Sequence, residues 1–139
     1  MSRSGYMEGG IGSQEEQWAH IRYRGAVTSA FRGKRGQSFL REALLALEEH
    51  ADGKLISSDL EAGGCYCTLG AVGAARGLDM SRIDPYDVET VSGKFDVAEA
   101  MAREIVYEND EGSYRPETPE QRYQRMHRYL SGCIENKED

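Results

Sequence analysis

Residues 63–77 read GGCYCTLGAVGAARG, and this stretch decides the fold. A glycine turn leads into a short apolar segment, and then into a helix lined almost wholly by Gly and Ala. Side chains this small cannot reach a distant neighbour, so other elements must pack closely against the helix. We predict that the helix spans Thr68 to Arg76, ends at Gly77 and forms the centre of a small helical domain. Because Gly70 and Gly73 each cost about 1 kcal/mol in a helix interior, we expect both to face neighbouring backbone.

Hydrophobic spacing before this stretch predicts two further helices. The first spans Gln14 to Phe31, with Trp18 and Ile21 among the residues of its apolar face. The second ends at Asp52-Gly53 and has a helical stripe formed by Leu40, Ala43, Leu44, Leu47 and Ala51. Lys54–Ile56 and Cys65–Cys67 are candidates for two short strands that could pair as a minimal hairpin.

Capping signals after the stretch predict the remaining helices. Asp84 and Pro85 fit the N-cap and first position of a short helix that ends near Ser92-Gly93. A further helix is expected from about Asp96 to Glu108. The last helix opens with Thr118-Pro119-Glu120-Gln121, the pattern of a capping box with proline at the first position.

These elements predict a mainly α protein, a compact bundle of five or six helices with, at most, a two-stranded hairpin. Residues 14–136 are expected to form one domain, since 139 residues suffice for a single core. Residues 1–13, rich in Gly and Ser and without periodicity, are expected to be a disordered tail.

Composition narrows the class of protein. The chain carries a net charge of -7 and has neither a run of about 18 apolar residues nor a secretory signal. We therefore expect a cytoplasmic protein without membrane contact. The spacing of Cys65, Cys67 and Cys133 matches no metal motif, so reduced cysteines are expected, with Cys67 structural and no metal or cofactor.

Basic residues cluster between the first two helices, in and before the loop Arg32-Gly33-Lys34-Arg35-Gly36. The amides at a helix N-terminus and the positive end of its dipole favour anions there. The loop does not match the P-loop pattern, and a solvated turn is the plainer interpretation. The candidate anion-binding residues are Arg22, Arg24, Arg32, Lys34 and Arg35.

Acidic and amide side chains end the fifth predicted helix at Tyr107–Gly112. A helix stop with Asn109 in the left-handed conformation is one explanation. Negative charge opposes the helix dipole at a C-terminus, however, so a local interaction could require these residues. The second explanation is that Asn109 and Asp110 bond to backbone near helix three.

No catalytic constellation is recognisable in the sequence. His20, His50 and His127 lie on separate predicted helices with no fixed partner, and acidic pairs such as Glu48-Glu49 fit a solvated face. The sequence therefore predicts a protein that is not an enzyme.

Several segments together resemble a group of small phage and prophage proteins of unknown function. They are the C-x-L-G-A segment at Cys67–Ala71, the N-D-E ending at Asn109–Glu111 and the T-P-E-x-R pattern at Thr118–Arg122, with the similarity covering roughly residues 25–130. A wider bacterial family with C-x-L-G-A and W-N-D segments is also similar, although Glu108 stands at the tryptophan position. The resemblance implies a phage context and no activity.

Two hypotheses of function follow. The first is a non-enzymatic phage accessory protein that binds a host protein or defence complex, such as a CRISPR effector, in the bacterial cytoplasm. Its candidate surface comprises Asp84, Asp87, Glu89, Asp110 and Glu111. The alternative is a module that binds an anion, a nucleotide or nucleic acid through the basic loop.

Overall fold

The computed structural model describes residues 3–4 and 14–135. Within these ranges the chain forms six α-helices and a two-stranded antiparallel hairpin, which confirms the predicted mainly α class. The elements are α1 (Gln14–Arg32), α2 (Lys34–His50), β1 (Glu61–Ala62), β2 (Cys65–Tyr66), α3 (Thr68–Arg76), α4 (Val88–Phe95), α5 (Glu99–Glu111) and α6 (Pro119–Cys133). Among the described residues, no helix combines the length and the apolar character needed to cross a bilayer.

The small-residue helix α3 has the predicted bounds and is buried from Thr68 to Gly73. It packs mainly against α2 and also contacts α5. Its N-cap is Cys67, whose Sγ accepts a hydrogen bond from the Gly70 amide at 3.3 Å. Gly77 ends the helix in the left-handed conformation, with φ of 71°.

The neighbours of the two α3 glycines differ from the prediction. A Cβ at Gly70 would overlap the backbone carbonyl oxygen of Leu60, so that glycine does face backbone, although from a loop. A Cβ at Gly73 would instead meet the side chain of Met80, from the 3-10 turn at Met80–Arg82. The expectation of backbone contact is therefore wrong for Gly73.

The hairpin pairs other residues than those predicted. Glu61 lies opposite Tyr66 and Ala62 opposite Cys65, so the loop is Gly63-Gly64 alone. Both glycines have positive φ, 59° and 80°, as a type I′ turn requires. The residues 54–56 form no strand, although the Ile56 amide donates to the Tyr66 carbonyl at 2.9 Å.

The helices α4 and α5 both begin three residues later than predicted. Asp87, not Asp84, is the N-cap of α4, because its side chain accepts from the Thr90 amide at 3.2 Å. Asp84 instead accepts from the Tyr86 amide at 2.9 Å, in the turn that precedes the helix. Asp96 ends α4 with φ of 57°, and α5 then begins at Glu99.

The first half of α1 lies outside the core. Trp18 is 54% exposed and Ile21 is 57% exposed, which corrects the prediction that they face inward. The buried residues of this helix are Val27 and Phe31. Because Val27 follows Trp18 by nine residues, or two and a half turns, the two side chains point to opposite sides.

The predictions for the last helix and for the N-terminal tail have different outcomes. The capping box of α6 is confirmed: Thr118 Oγ1 accepts from the Gln121 amide at 3.1 Å, and Gln121 Oε1 accepts from the Thr118 amide at 2.9 Å. In the predicted disordered tail, Arg3 and Ser4 are buried against the rest of the chain. The remainder of that tail, and residue 136 of the predicted domain, lie outside the described residues.

Candidate binding site at the ends of α3, α5 and α6

Asn109 joins the end of α5 to the start of α3. Its Oδ1 accepts from the backbone amide of Thr68 at 3.0 Å and from the Thr68 hydroxyl at 2.8 Å. Its Nδ2 donates to the Ile56 carbonyl and to Asp110 Oδ1, both at 2.9 Å. Asn109 is 1% exposed, and its two bonds to Thr68 are buried. Asn109 lies inside α5 rather than in a left-handed stop, and it bonds to backbone at helix three.

Two arginines of α6 satisfy the carbonyl end of α5. Arg122 Nε donates to the Asn109 carbonyl at 3.1 Å, and a second nitrogen reaches the Leu55 carbonyl at 3.2 Å. Arg125 donates to the carbonyls of Glu108 and Asn109, at 2.6 and 3.1 Å. Cations at a helix C-terminus stabilise its dipole, and these two offset the acidic residues there. The segments Cys67–Ala71, Asn109–Glu111 and Thr118–Arg122 therefore meet at this junction.

Glu117 completes the arginine layer. Its carboxylate accepts from Arg125 at 2.6 Å, and its side chain is only 9% exposed. The hydrogen bond from Arg125 outweighs the effect of burial and lowers the pKa of Glu117. Glu108, also near Arg125, has a raised pKa because burial and then the charge of Glu104 disfavour its ionised form.

A notch at the end of α5 holds the side chains of Arg3 and Ser4. We call it the acidic notch and define it by Asp110, Glu111 and Cys67. Arg3 donates two parallel hydrogen bonds to Asp110, at 2.7 and 2.6 Å, and a third to Cys67 Sγ at 3.6 Å. Ser4 Oγ lies 2.9 Å from Glu111 Oε2.

The charge of Arg3 is retained despite its burial. Burial alone would lower the pKa of the guanidinium, but the attraction of Cys67 and the hydrogen bond and charge of Asp110 outweigh it. The net result is a pKa above the ordinary value of arginine. The notch therefore binds a fully charged side chain that is 2% exposed.

The other three predicted acidic residues lie together at the start of α4. Asp84, Asp87 and Glu89 are all exposed, and Tyr86 between them is 51% exposed. Hydrogen bonds from Thr90 lower the pKa of Asp87, so this carboxylate stays ionised to lower pH. We call Asp84, Tyr86, Asp87 and Glu89 the α4 acidic face. The predicted acidic set is thus divided between this face and the acidic notch.

The predicted basic residues lie on the surface, and several are paired. Arg24 contacts Glu104 at 2.7 Å, Arg35 contacts Asp96 at 2.9 Å and Arg32 contacts Glu135 at 3.5 Å; Arg22 and Lys34 are exposed. A cavity of about 320 Å³ opens beside Lys34 and Arg35 at the start of α2. The N-cap of α2 is Gly33, which has no side chain to bond the first amides.

Sequence reasoning missed the partners of the acidic residues. Arg3 lies in the segment expected to be a disordered tail, and its contact with Asp110 spans 107 residues, so no local signal predicts it. Arg122 and Arg125 could have been found, because they are three residues apart on one helix face. The acidic residues at the end of α5 oppose the helix dipole, and cations such as these two arginines offset that effect.

Other polar groups form isolated contacts. His127 Nε2 lies 2.9 Å from Glu48 on the surface, which is a pairing between α6 and α2. In the part of the chain that the structure describes, no three His, Cys, Asp or Glu side chains are grouped closely enough to hold a metal ion. The acidic notch can bind a cationic side chain that donates hydrogen bonds. Comparisons with known protein families, with curated proteins and with solved structures find no match to the chain.

Proposed function

We propose that this chain is a non-enzymatic accessory protein encoded by a phage, which binds the basic surface of a host macromolecule. The observation that carries the proposal is the α4 acidic face, where three exposed carboxylates lie within three residues of a half-exposed tyrosine. Tyrosine is enriched at the energetic centres of protein interfaces, and carboxylates around it attract a basic partner. The net charge of -7 acts in the same direction.

A CRISPR effector complex is the host component that we propose. Such a complex has a positively charged channel for nucleic acid, and the charge that attracts phosphate also attracts a carboxylate-rich surface. The phage resemblance of Cys67–Ala71, Asn109–Glu111 and Thr118–Arg122 supports this context. The protein would act by occupying the channel, without any chemical step.

The test is binding of a purified CRISPR effector ribonucleoprotein to the wild-type chain and to Asp84→Asn/Asp87→Asn/Glu89→Gln. These changes remove three charges and keep the shapes, and Asn is as good an N-cap as Asp at position 87. We expect binding by the wild type that weakens as salt rises, and loss of binding by the triple variant.

The matched control is Glu49→Gln/Asp59→Asn/Glu61→Gln, which removes the same charge from three other exposed positions. It should bind like the wild type. Equal weakening by both triple variants would contradict a specific face and leave only net charge. A wild-type chain that binds no effector complex and recovers no protein from bacterial lysate at low salt would contradict the proposal as a whole.

A second candidate function is anion or nucleic-acid binding at the basic loop. The observation that favours it is the uncapped start of α2 beside the 320 Å³ cavity and the exposed Lys34. An oligonucleotide bound there should lose affinity steeply as salt rises, because each phosphate contact releases counterions.

The discriminating variant is Arg32→Ala/Lys34→Ala/Arg35→Ala, compared with Arg82→Ala/Lys94→Ala/Arg115→Ala as a control of equal charge. The first should abolish binding of a labelled oligonucleotide, and the second should reduce it only slightly. Unchanged binding by the loop variant would exclude the loop as the site.

A further inference from the structure

The acidic notch binds Arg3 with the geometry of a recognition site. Both oxygens of Asp110 accept from one guanidinium edge, at 2.7 and 2.6 Å, and Cys67 Sγ lies 3.6 Å from the remaining nitrogen. Only the planar fork of arginine can make such a two-bond contact; lysine offers a single point charge. The next residue, Ser4, reaches Glu111 with its hydroxyl.

Two residues of the notch, Asp110 and Cys67, bond to groups other than Arg3. Asp110 Oδ1 accepts from the Ser58 amide at 3.3 Å and from Asn109 Nδ2 at 2.9 Å. Cys67 Sγ accepts from the Gly70 amide at 3.3 Å. Because these donors bond to Asp110 Oδ1 and Cys67 Sγ independently of Arg3, we expect both acceptors to stay in place when Arg3 leaves, and a preorganised site binds with less loss of entropy.

The occupant is joined to the fold by a short linker. Nine residues, four of them glycine, separate Ser4 from the start of α1 at Gln14. A linker of this length gives the attached group an effective concentration in the millimolar range. An arginine supplied by another molecule can make the same contacts, and it displaces Arg3 when its concentration reaches that range or when further contacts add affinity.

We propose that the acidic notch is a binding site for an arginine side chain followed by a hydroxyl residue, on the surface of the protein partner. Arg3 and Ser4 are its intramolecular competitor and hold the site closed until that partner segment displaces them. The identity of the partner as a basic host protein rests on the function proposed above. The chemistry of the site stands on the contacts of Asp110, Glu111 and Cys67.

The test uses the full chain and a fluorescent peptide of residues 1–6, Met-Ser-Arg-Ser-Gly-Tyr. Arg3→Ala removes the guanidinium from the notch and frees Asp110, so this variant should bind the peptide. If Arg3 occupies the notch about nine-tenths of the time, the wild type should bind it roughly tenfold more weakly. A peptide with lysine in place of its arginine should bind the variant far less well.

The control is Arg3→Ala/Asp110→Asn, which should lose the peptide while Arg3→Ala/Glu61→Gln keeps it. Equal peptide binding by the wild type and Arg3→Ala, equal binding of the arginine and lysine peptides, or no effect of Asp110→Asn would each overturn the proposal.

A second measurement avoids any dependence on the folding of Arg3→Ala. The Nε–H resonance of Arg3 in the ¹⁵N-labelled wild type should move toward that of a solvated arginine as unlabelled peptide is added in millimolar excess. No movement of this resonance would overturn the proposal. Both assays contain only the purified chain and the peptide, without an effector complex. Their failure would therefore leave the proposed effector binding at the α4 acidic face untouched, and the reverse also holds.

Discussion

At the scale of single residues, some buried positions need a glycine or an amide side chain that a larger residue could not replace. Gly70 leaves room for the Leu60 carbonyl, and Gly73 leaves room for the Met80 side chain. Asn109 makes four hydrogen bonds, two with its oxygen and two with its nitrogen, while almost wholly buried. Gly70 and Gly73 lie in α3, and Asn109 bonds directly to Thr68 at the start of that helix.

Gly70 and Gly73 should therefore respond differently to alanine. Gly70→Ala pushes a methyl group into backbone and should cost at least about 2 kcal/mol of unfolding free energy. Gly73→Ala meets a flexible side chain and gains helix propensity, so it should stay within about 1 kcal/mol of the wild type. Urea denaturation midpoints of the two variants measure the difference. Equal destabilisation would mean that Met80 is as fixed as the backbone.

Asn109→Ala should cost about 3 kcal/mol of unfolding free energy. The change leaves the buried Thr68 amide and the partly buried Ile56 carbonyl without their partner, and a fully buried group of this kind costs about 1–3 kcal/mol. Thr68→Val, which removes only the hydroxyl of one bond, is the milder comparison. Chemical denaturation measures both, and a loss below about 1 kcal/mol for Asn109→Ala would show that water replaces the amide.

At the scale of elements, the ends of helices were easier to predict than their faces. A capping box fixes the start of α6, and a left-handed glycine ends α3, through contacts within a few residues. The apolar face of α1 was misjudged, because Trp18 and Val27 lie on opposite sides of the helix and sequence alone did not show which side is covered. The starts of α4 and α5 were missed because Asp84, Asp87 and Asp96 are all plausible caps.

Trp18→Ala and Phe31→Ala test the assignment of the faces of α1. Phe31 is 8% exposed, and its ring packs edge-on against that of Tyr129, with ring centroids 6.5 Å apart. Phe31→Ala should therefore cost about 3–5 kcal/mol of unfolding free energy. Trp18 is 54% exposed, so its loss should change the unfolding free energy by less than about 0.5 kcal/mol. Thermal or urea unfolding gives both values. A large loss of unfolding free energy for Trp18→Ala would mean that the Trp18 side chain is buried in a contact.

At the scale of the whole molecule, charged groups connect elements that are distant in sequence. Arg122 and Arg125 bring α6 to the end of α5, and Arg76 of α3 makes two 2.7 Å bonds to Glu42 of α2. Glu117, just before α6, is 9% exposed and pairs with both Arg122 and Arg125. Its contribution depends on pH, because only the ionised carboxylate pairs with arginine.

Glu117→Gln should lower the unfolding free energy at pH 7 by about 2 kcal/mol. Because the folded pKa of Glu117 is below its ordinary value of 4.5, the wild-type advantage is present above that value. It disappears as the pH falls through the lowered folded pKa. Denaturation at pH 7 and at successively lower pH measures how the difference in unfolding free energy between wild type and variant decreases. Glu61→Gln, on the exposed hairpin, serves as the comparison. A constant difference between wild type and variant would contradict the ionic origin.

The sequence by itself determined the helical class, the bounds of α3, the cap of α6 and the general acidity of the chain. Each of these depends on residues a few positions apart, so local propensity, spacing and composition contain the information. The tertiary structure decided which face of α1 is exposed, what lies beside Gly73 and where the acidic residues point. It alone brought Arg3 to Asp110, because that contact depends on chain segments 107 residues apart and on the walls that α3 and α5 build around it.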